Sequence, residues 1–160
     1  MEATAPATPR VLRNLIGGEW VDADGAELLD VTNPATGEAI ARVPLSGAAD
    51  VERAVAAARA ALPGWRATSV IKRAHHLFRL RALMDDHADE LARCVTREMG
   101  KTLPDARAEV ARAIEMVEAA TAVPQTMQGQ ILEGIATNVD AETIRQPVGV
   151  CAAITPFNFP

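Results

Sequence analysis

One side-chain amide, Asn158, stands between two aromatic residues and two prolines in the stretch Thr155-Pro156-Phe157-Asn158-Phe159-Pro160. Proline locks φ and also restricts the residue before it, so Pro156 and Pro160 confine the backbone to a stiff, extended frame. A carboxamide held in that way is a preorganised N–H donor, suited to an oxyanion hole where negative charge develops on a carbonyl oxygen. The same amide could instead satisfy main-chain groups in a Pro-flanked turn. Other chemistry-bearing groups are sparse. Cys94 falls beside a helical apolar stripe with no histidine at an activating spacing, which reads as a small buried hydrophobe and not a nucleophile. No set of His, Cys or carboxylate residues has zinc-site spacing, and no metal is expected.

Something must carry Asn158 to its place. Val148 to Ile154 is an unbroken small and apolar run, the composition of a strand buried on both faces of a parallel sheet, and polar punctuation follows at once. In open α/β sheets ligands bind just beyond the carboxyl ends of the strands, which is where Thr155 to Asn158 would lie. Pro147 and Gly149 mark a change of direction before that strand. The preceding segments are a small β unit and a series of amphipathic helices. Apolar residues flank Gly17-Gly18, a pair suited to the positive φ angles of a tight hairpin, with Trp20 as a packing anchor. Leu28–Val31 and Ala39–Val43 then flank Asn33-Pro34-Ala35-Thr36-Gly37, a turn in which Asn caps, Pro sets φ and Gly takes the left-handed position.

From Ser46 the period changes to 3.6. Val51, Ala54, Val55, Ala58 and Leu62 share one face of a helix that Pro63-Gly64 is expected to end. Ser69 caps a second helix with Val70, Ala74, Leu77, Leu80 and Met84 inward; Lys72, Arg73, Arg79 and Arg81, with His75 and His76 nearby, make its other side basic, either a phosphate contact or a solvated or subunit-facing surface. A third helix is expected over Asp86 to Met99, capped by Asp86 and Asp89 and stopped by Gly100. Thr102 and Asp105 cap a fourth, running through Ala106, Val110, Ala113, Ile114, Val117 and Ala120 until Pro124. Pro124–Gly134 reads as a surface crossing and Val139–Gln146 as strand-like alternation.

Length and charge narrow the partners. At 160 residues the chain is long enough for one domain, which at that size buries roughly 68–70% of its unfolded surface. No run reaches the ~18 consecutive apolar residues of a membrane span. The net charge of -5 argues against nucleic acid, since binding phosphates demands clustered positive charge, and no membrane partner is expected. An acidic substrate would need a local arginine. Two cysteines far apart, Cys94 and Cys151, both in expected buried elements, suit a reducing compartment, and the cytoplasm is the expected location. Residues 1–10, with Ala, Thr and Pro prominent, read as a disordered arm with no signal or transit peptide.

Several stretches together carry a resemblance. GGEW (Gly17 to Trp20), NPATGE (Asn33 to Glu38), HADELA (His87 to Ala92), REMGKTLPDA (Arg97 to Ala106), IRQPVGV (Ile144 to Val150) and ITPFNFP (Ile154 to Pro160) occur in the order and at the approximate spacing of the aldehyde dehydrogenase superfamily. The chain resembles that family from about residue 11 onward. GKTLPDA, the IRQPVGVCA approach and Phe157, where the family more often has Trp, are most similar to its CoA-acylating, methylmalonate-semialdehyde branch. The resemblance implies an α/β fold: the N-terminal part of the family's architecture over residues 11–160, with a small β unit, several helices and the first strands of a Rossmann-like nucleotide-binding domain. It also implies that residues 138–147 form an oligomerisation strand of a homo-oligomer, tetramer or dimer. The family's catalytic cysteine and glutamate lie downstream of its asparagine motif, so the chain is expected to be an N-terminal fragment, inactive alone.

Further implications concern chemistry. The family attacks an aldehyde with a cysteine thiolate, holds the oxyanion with the asparagine amide, passes hydride to NAD and retains a thioester. In the branch resembled here, coenzyme A accepts the acyl group with loss of carbon dioxide, so malonate or methylmalonate semialdehyde would give acetyl-CoA or propionyl-CoA. Asn158 matches the asparagine; Thr155, Pro156 and Phe157 match the turn along the nicotinamide-ribose end of NAD. Arg112 matches an arginine that grips the carboxylate of the small-molecule semialdehyde, a task suited to a bidentate guanidinium, although an arginine on a helix flank is also an ordinary surface residue. Two alternatives remain: a hydrolytic aldehyde dehydrogenase releasing free acid, and a non-catalytic assembly piece.

Overall fold

The computed structural model describes residues 9–160. The arm expected over residues 1–10 lies mostly outside the described residues, but its last member is structured. Arg10 and Val11 form strand β1 (Arg10–Val11), parallel to β5 (Ala39–Pro44), with Arg10 opposite Ala41. Strand β4 (Leu28–Thr32) completes this three-stranded sheet, antiparallel to β5 in the order β1-β5-β4. The turn between β4 and β5 forms as its residues dictate. Asn33 Oδ1 accepts the Ala35 N–H at 2.9 Å, and Gly37 has a φ of 74°. Strands β2 (Asn14–Ile16) and β3 (Glu19–Val21) make the expected hairpin, Gly17 and Gly18 taking φ of 63° and 87°. Trp20 is exposed there and does not serve as a buried anchor.

Four long helices follow. α1 (Ala48–Ala67) does not stop at Pro63-Gly64. Proline in a helix forfeits one hydrogen bond, and here that vacancy faces solvent, so the helix continues until Thr68, whose N–H and hydroxyl both donate to the Gly64 carbonyl. Its first turn is fixed by Asp50, buried, which accepts from the Gly47 N–H at 3.2 Å and pairs with Arg53. That hydrogen bond to Arg53 is the main reason the Asp50 carboxyl titrates below its usual range.

α2 (Val70–Asp86) begins at Ser69 as expected, Ser69 Oγ accepting the Lys72 N–H at 3.4 Å. Val70, Ala74, Leu77 and Met84 face inward as expected, and the stripe departs from the expected one at a single position. Leu80 is exposed, and Arg81 takes the inward place, reaching Asp85 at 2.5 Å and the distant Glu118 at 3.4 Å. Arg73 is likewise turned to an internal contact, 3.8 Å from Met127 Sδ. The basic side of α2 is therefore reduced by two arginines that are engaged within the chain.

α3 (Ala88–Met99) starts later than expected. No Gly or Pro interrupts the turn at Asp86, so α2 runs through it, and His87 stands at the joint with Nδ1 2.9 Å from Glu90. Gly100 ends α3 in the left-handed region at φ 84°, as its type demands. α4 (Leu103–Ala120) is capped by Thr102, whose Oγ1 accepts the Asp105 N–H at 3.3 Å. Ala92 of α3 packs against Ala106, Val110 and Ile114 of α4, with Met84, Ala88, Val95 and Leu103 around them; this is the core. Ala113, expected inward, is exposed.

The expected surface crossing is shorter than anticipated. A one-turn helix, α5 (Val123–Thr126), includes Pro124, and strand β6 (Gln130–Ala136) already occupies much of the segment. It pairs antiparallel with β7 (Val139–Thr143). Gly129 is needed at their base, because a Cβ there would meet the Thr143 carbonyl oxygen at 1.9 Å. The expected buried strand over Val148–Ile154 is absent: these residues form no ladder, and Val148 and Ile154 are 93% and 98% exposed. A parallel strand takes its hydrogen bonds from neighbouring strands, and no described strand runs beside this one.

Candidate active site

Asn158 sits in a tight turn and not in the extended frame expected from its flanking prolines. The Phe159 N–H donates to the Pro156 carbonyl at 3.1 Å, closing the turn over Phe157 and Asn158. The Asn158 side chain is exposed, and among the described residues no hydrogen bond engages its amide. Its main chain is held instead. Lys101 Nζ donates to the Asn158 carbonyl at 3.1 Å and stands 4.7 Å from the centroid of the Phe159 ring. The same ammonium pairs with Glu109 of α4.

The two phenylalanines diverge. Phe159 lies under Lys101, whereas Phe157 is 91% exposed and edges a shallow groove of about 300 Å³ with Cys94, Val95, Glu98, Met99 and Pro160. Cys94 is exposed, which corrects the buried reading: it lies on the α3 flank just outside the stripe that packs on α4. Cys151 is exposed as well, because the strand expected to bury it does not form.

Thr155, Pro156, Phe157 and Asn158 are thus brought together as one exposed turn, and Arg112 is not in contact with it. Arg112 projects from the solvent side of α4 and donates to Glu115 at 2.6 Å. It nevertheless lies three residues beyond Glu109, about 4.5 Å along the helix axis. Sequence reasoning missed Lys101. The signal was available in its position, since it is the lone residue between the helix stop Gly100 and the helix cap Thr102, with an acid on the following helix. Elsewhere, Asp89 joins α3 to α4: Arg107 donates to it at 2.5 Å and Arg93 at 2.9 Å, and these bonds, Arg107 first, lower its carboxyl pKa. Among the described residues no group of three or more His, Cys, Asp or Glu could hold a metal ion, and no helix is long and apolar enough to cross a membrane.

Comparison with known proteins is consistent with this layout. Residues 20–160 match the aldehyde dehydrogenase family. The malonate-semialdehyde dehydrogenase 1 of Geobacillus kaustophilus is 48% identical over 160 residues, all of this chain and 33% of that protein. A malonate-semialdehyde dehydrogenase of Bacillus cereus is 50% identical over 149 residues, 93% of this chain and 31% of that protein. Among solved structures, a Sinorhizobium meliloti 1021 protein named as a methylmalonate-semialdehyde dehydrogenase and complexed with NAD superimposes with a TM-score of 0.90 at 38% identity, over 96% of this chain and 31% of that one. The chain spans about a third of the length of these relatives. With its family match over most of its length and its fold shared with the N-terminal part of such enzymes, the chain belongs to the aldehyde dehydrogenase family.

Proposed function

We propose that the whole protein carrying this chain oxidises malonate or methylmalonate semialdehyde with NAD and passes the acyl group to coenzyme A, with loss of carbon dioxide. The observation that carries this reading is the Asn158 amide, exposed and unengaged on a turn whose main chain is tied down, in a chain 48% identical to a malonate-semialdehyde dehydrogenase along its whole length. Asn158 donates its N–H to the oxygen that gains charge as the aldehyde carbon is attacked by a nucleophile supplied elsewhere in the protein. Loss of one preorganised donor of this kind costs on the order of 10²–10³ in turnover.

NAD, when bound, supplies the hydride acceptor. Thr155, Pro156 and Phe157 are exposed, and Phe157 edges an apolar groove, a fit for the ring and ribose end of a dinucleotide. They offer no Gly-rich cradle for its phosphates, which must be held elsewhere. Arg112 is the proposed grip on the substrate carboxylate; among the described residues only one of its N–H groups is committed, to an exposed Glu115, so the guanidinium keeps donors for a second partner. Association as a homo-oligomer, dimer or tetramer, is supported by the β6–β7 hairpin, where Ile131, Leu132, Ile135 and Val139 are exposed. A cytoplasmic location is supported by the two free cysteines.

The test is an assay of the whole protein with malonate semialdehyde and NAD, with and without coenzyme A. CoA-dependent NADH and acetyl-CoA formation supports the reading. Free-acid release at full rate without CoA supports the hydrolytic alternative, and no NADH under either condition ends both.

A further inference from the structure

Lys101 is the point where three parts of the chain meet: the α3–α4 joint, the middle of α4 and the turn bearing Asn158. Its side chain is 15% exposed and that of its partner Glu109 is 10% exposed, an ion pair largely withdrawn from water. Charges in such a place are costly unless every donor finds a partner. The ammonium has three kinds of partner here: the Glu109 carboxylate, the Asn158 carbonyl at 3.1 Å and the Phe159 ring at 4.7 Å. Two of the three belong to residues 158 and 159. Its own position leaves it little freedom, because Gly100 on one side and Thr102 on the other are fixed as helix stop and helix cap, and Gly100 also packs on Pro34.

We infer that Lys101 is a positioning residue for the Asn158 amide, holding the turn by its main chain so that the side chain stays free and aimed. Glu109 cancels the positive charge, so the service is geometric: a donor to the Asn158 carbonyl and a cation over the next ring set the peptide plane from which the amide projects. This inference rests on the reading of Asn158 as the oxyanion donor.

The test uses the whole enzyme and the variant Lys101→Met combined with Glu109→Gln, which keeps the stem and leaves no unpaired carboxylate. We expect kcat to fall about tenfold with KM for NAD and semialdehyde within twofold, and Lys101→Arg to retain most of the activity, since arginine also donates and stacks on rings. Because the effect acts through Asn158, adding Asn158→Ala to the pair should cost no more than Asn158→Ala alone. An unchanged kcat, or losses that multiply, overturns the inference. If the double variant does not fold, Phe159→Leu replaces it, with about a threefold fall in kcat expected and a silent result overturning the inference. A silent Asn158→Ala identifies failure of the underlying reading, and the inference falls with it; a large Asn158→Ala effect beside silent Lys101 variants removes the inference alone.

Discussion

The facing stripes of α3 and α4 and the run Val148–Ile154 are both apolar, yet they end in opposite states. Ala106, Val110 and Ile114 are no more than 8% exposed, whereas Val148 and Ile154 are almost wholly exposed. The difference lies in where each finds its hydrogen bonds. A helix satisfies its own backbone and needs a neighbour only for its stripe, which α3 and α4 supply to one another across a joint of three residues, Gly100 to Thr102. A central strand draws its backbone partners from strands on either side. Apolar content therefore decides burial only where the backbone is already provided for.

Four experiments break or sharpen that contrast. The largest effect belongs to the exposed region but is chemical. Asn158→Ala in the whole protein should lower kcat by roughly 10²–10³, about 3–4 kcal/mol in barrier, while calorimetry shows an unchanged Tm, because its amide engages nothing among the described residues. A loss under tenfold removes the assigned role. Next comes the paired comparison of Ile114→Ala with Ile154→Ala in this chain. Urea titration should show a loss of roughly 2–5 kcal/mol for the first and a change within about 0.5 kcal/mol for the second. Equal losses would mean that the run at 148–154 is packed after all.

Gly100→Ala tests the joint itself. The φ of 84° disfavours any Cβ, and the added carbon would meet Pro34 Cγ at 2.7 Å, so a loss of about 1–3 kcal/mol is expected. Gly64→Ala, with nothing within 4 Å and an ordinary helical place, is the control and should be neutral or stabilising. The smallest effect concerns Asp89, which bonds Arg107 across the two helices. Its native pKa is lowered, so its contribution is fully present above the unfolded value of about 3.9 and is lost as pH falls through the native one. The stability gap between the wild type and Asp89→Asn, read by urea midpoints, should be open at pH 7 and should narrow as pH falls below about 3.9. A gap that persists in acid would show that Asp89 acts through packing or hydrogen bonding of its neutral form.

Legibility followed the same division. Gly17-Gly18, the Asn33–Gly37 turn, Ser69, Gly100 and Thr102 all hold the places their residue types predict, because each acts through its own backbone angles or through bonds to residues within a few positions. The errors fell where longer reach decides. Pro63 did not end α1, since a missing bond on a solvent face can be tolerated in a long helix. Leu80 and Arg81 exchanged roles because Glu118, thirty-seven residues away, offers the arginine a partner. Cys94 neighbours an apolar stripe in sequence but lies just outside it and is exposed.

At the candidate site, residue types alone determined a proline-bounded stretch with one amide in it, because proline restricts φ wherever it stands, whereas its closing as a turn in place of an extended frame belongs to the structure. They also carried the family resemblance that the comparisons bear out. Only the tertiary structure decided that this turn is moored to the α3–α4 joint through Lys101, fifty-seven residues earlier, and that the amide is left free. Local stereochemistry is written residue by residue; a contact between an ammonium and a distant carbonyl exists only once the helices between them have packed.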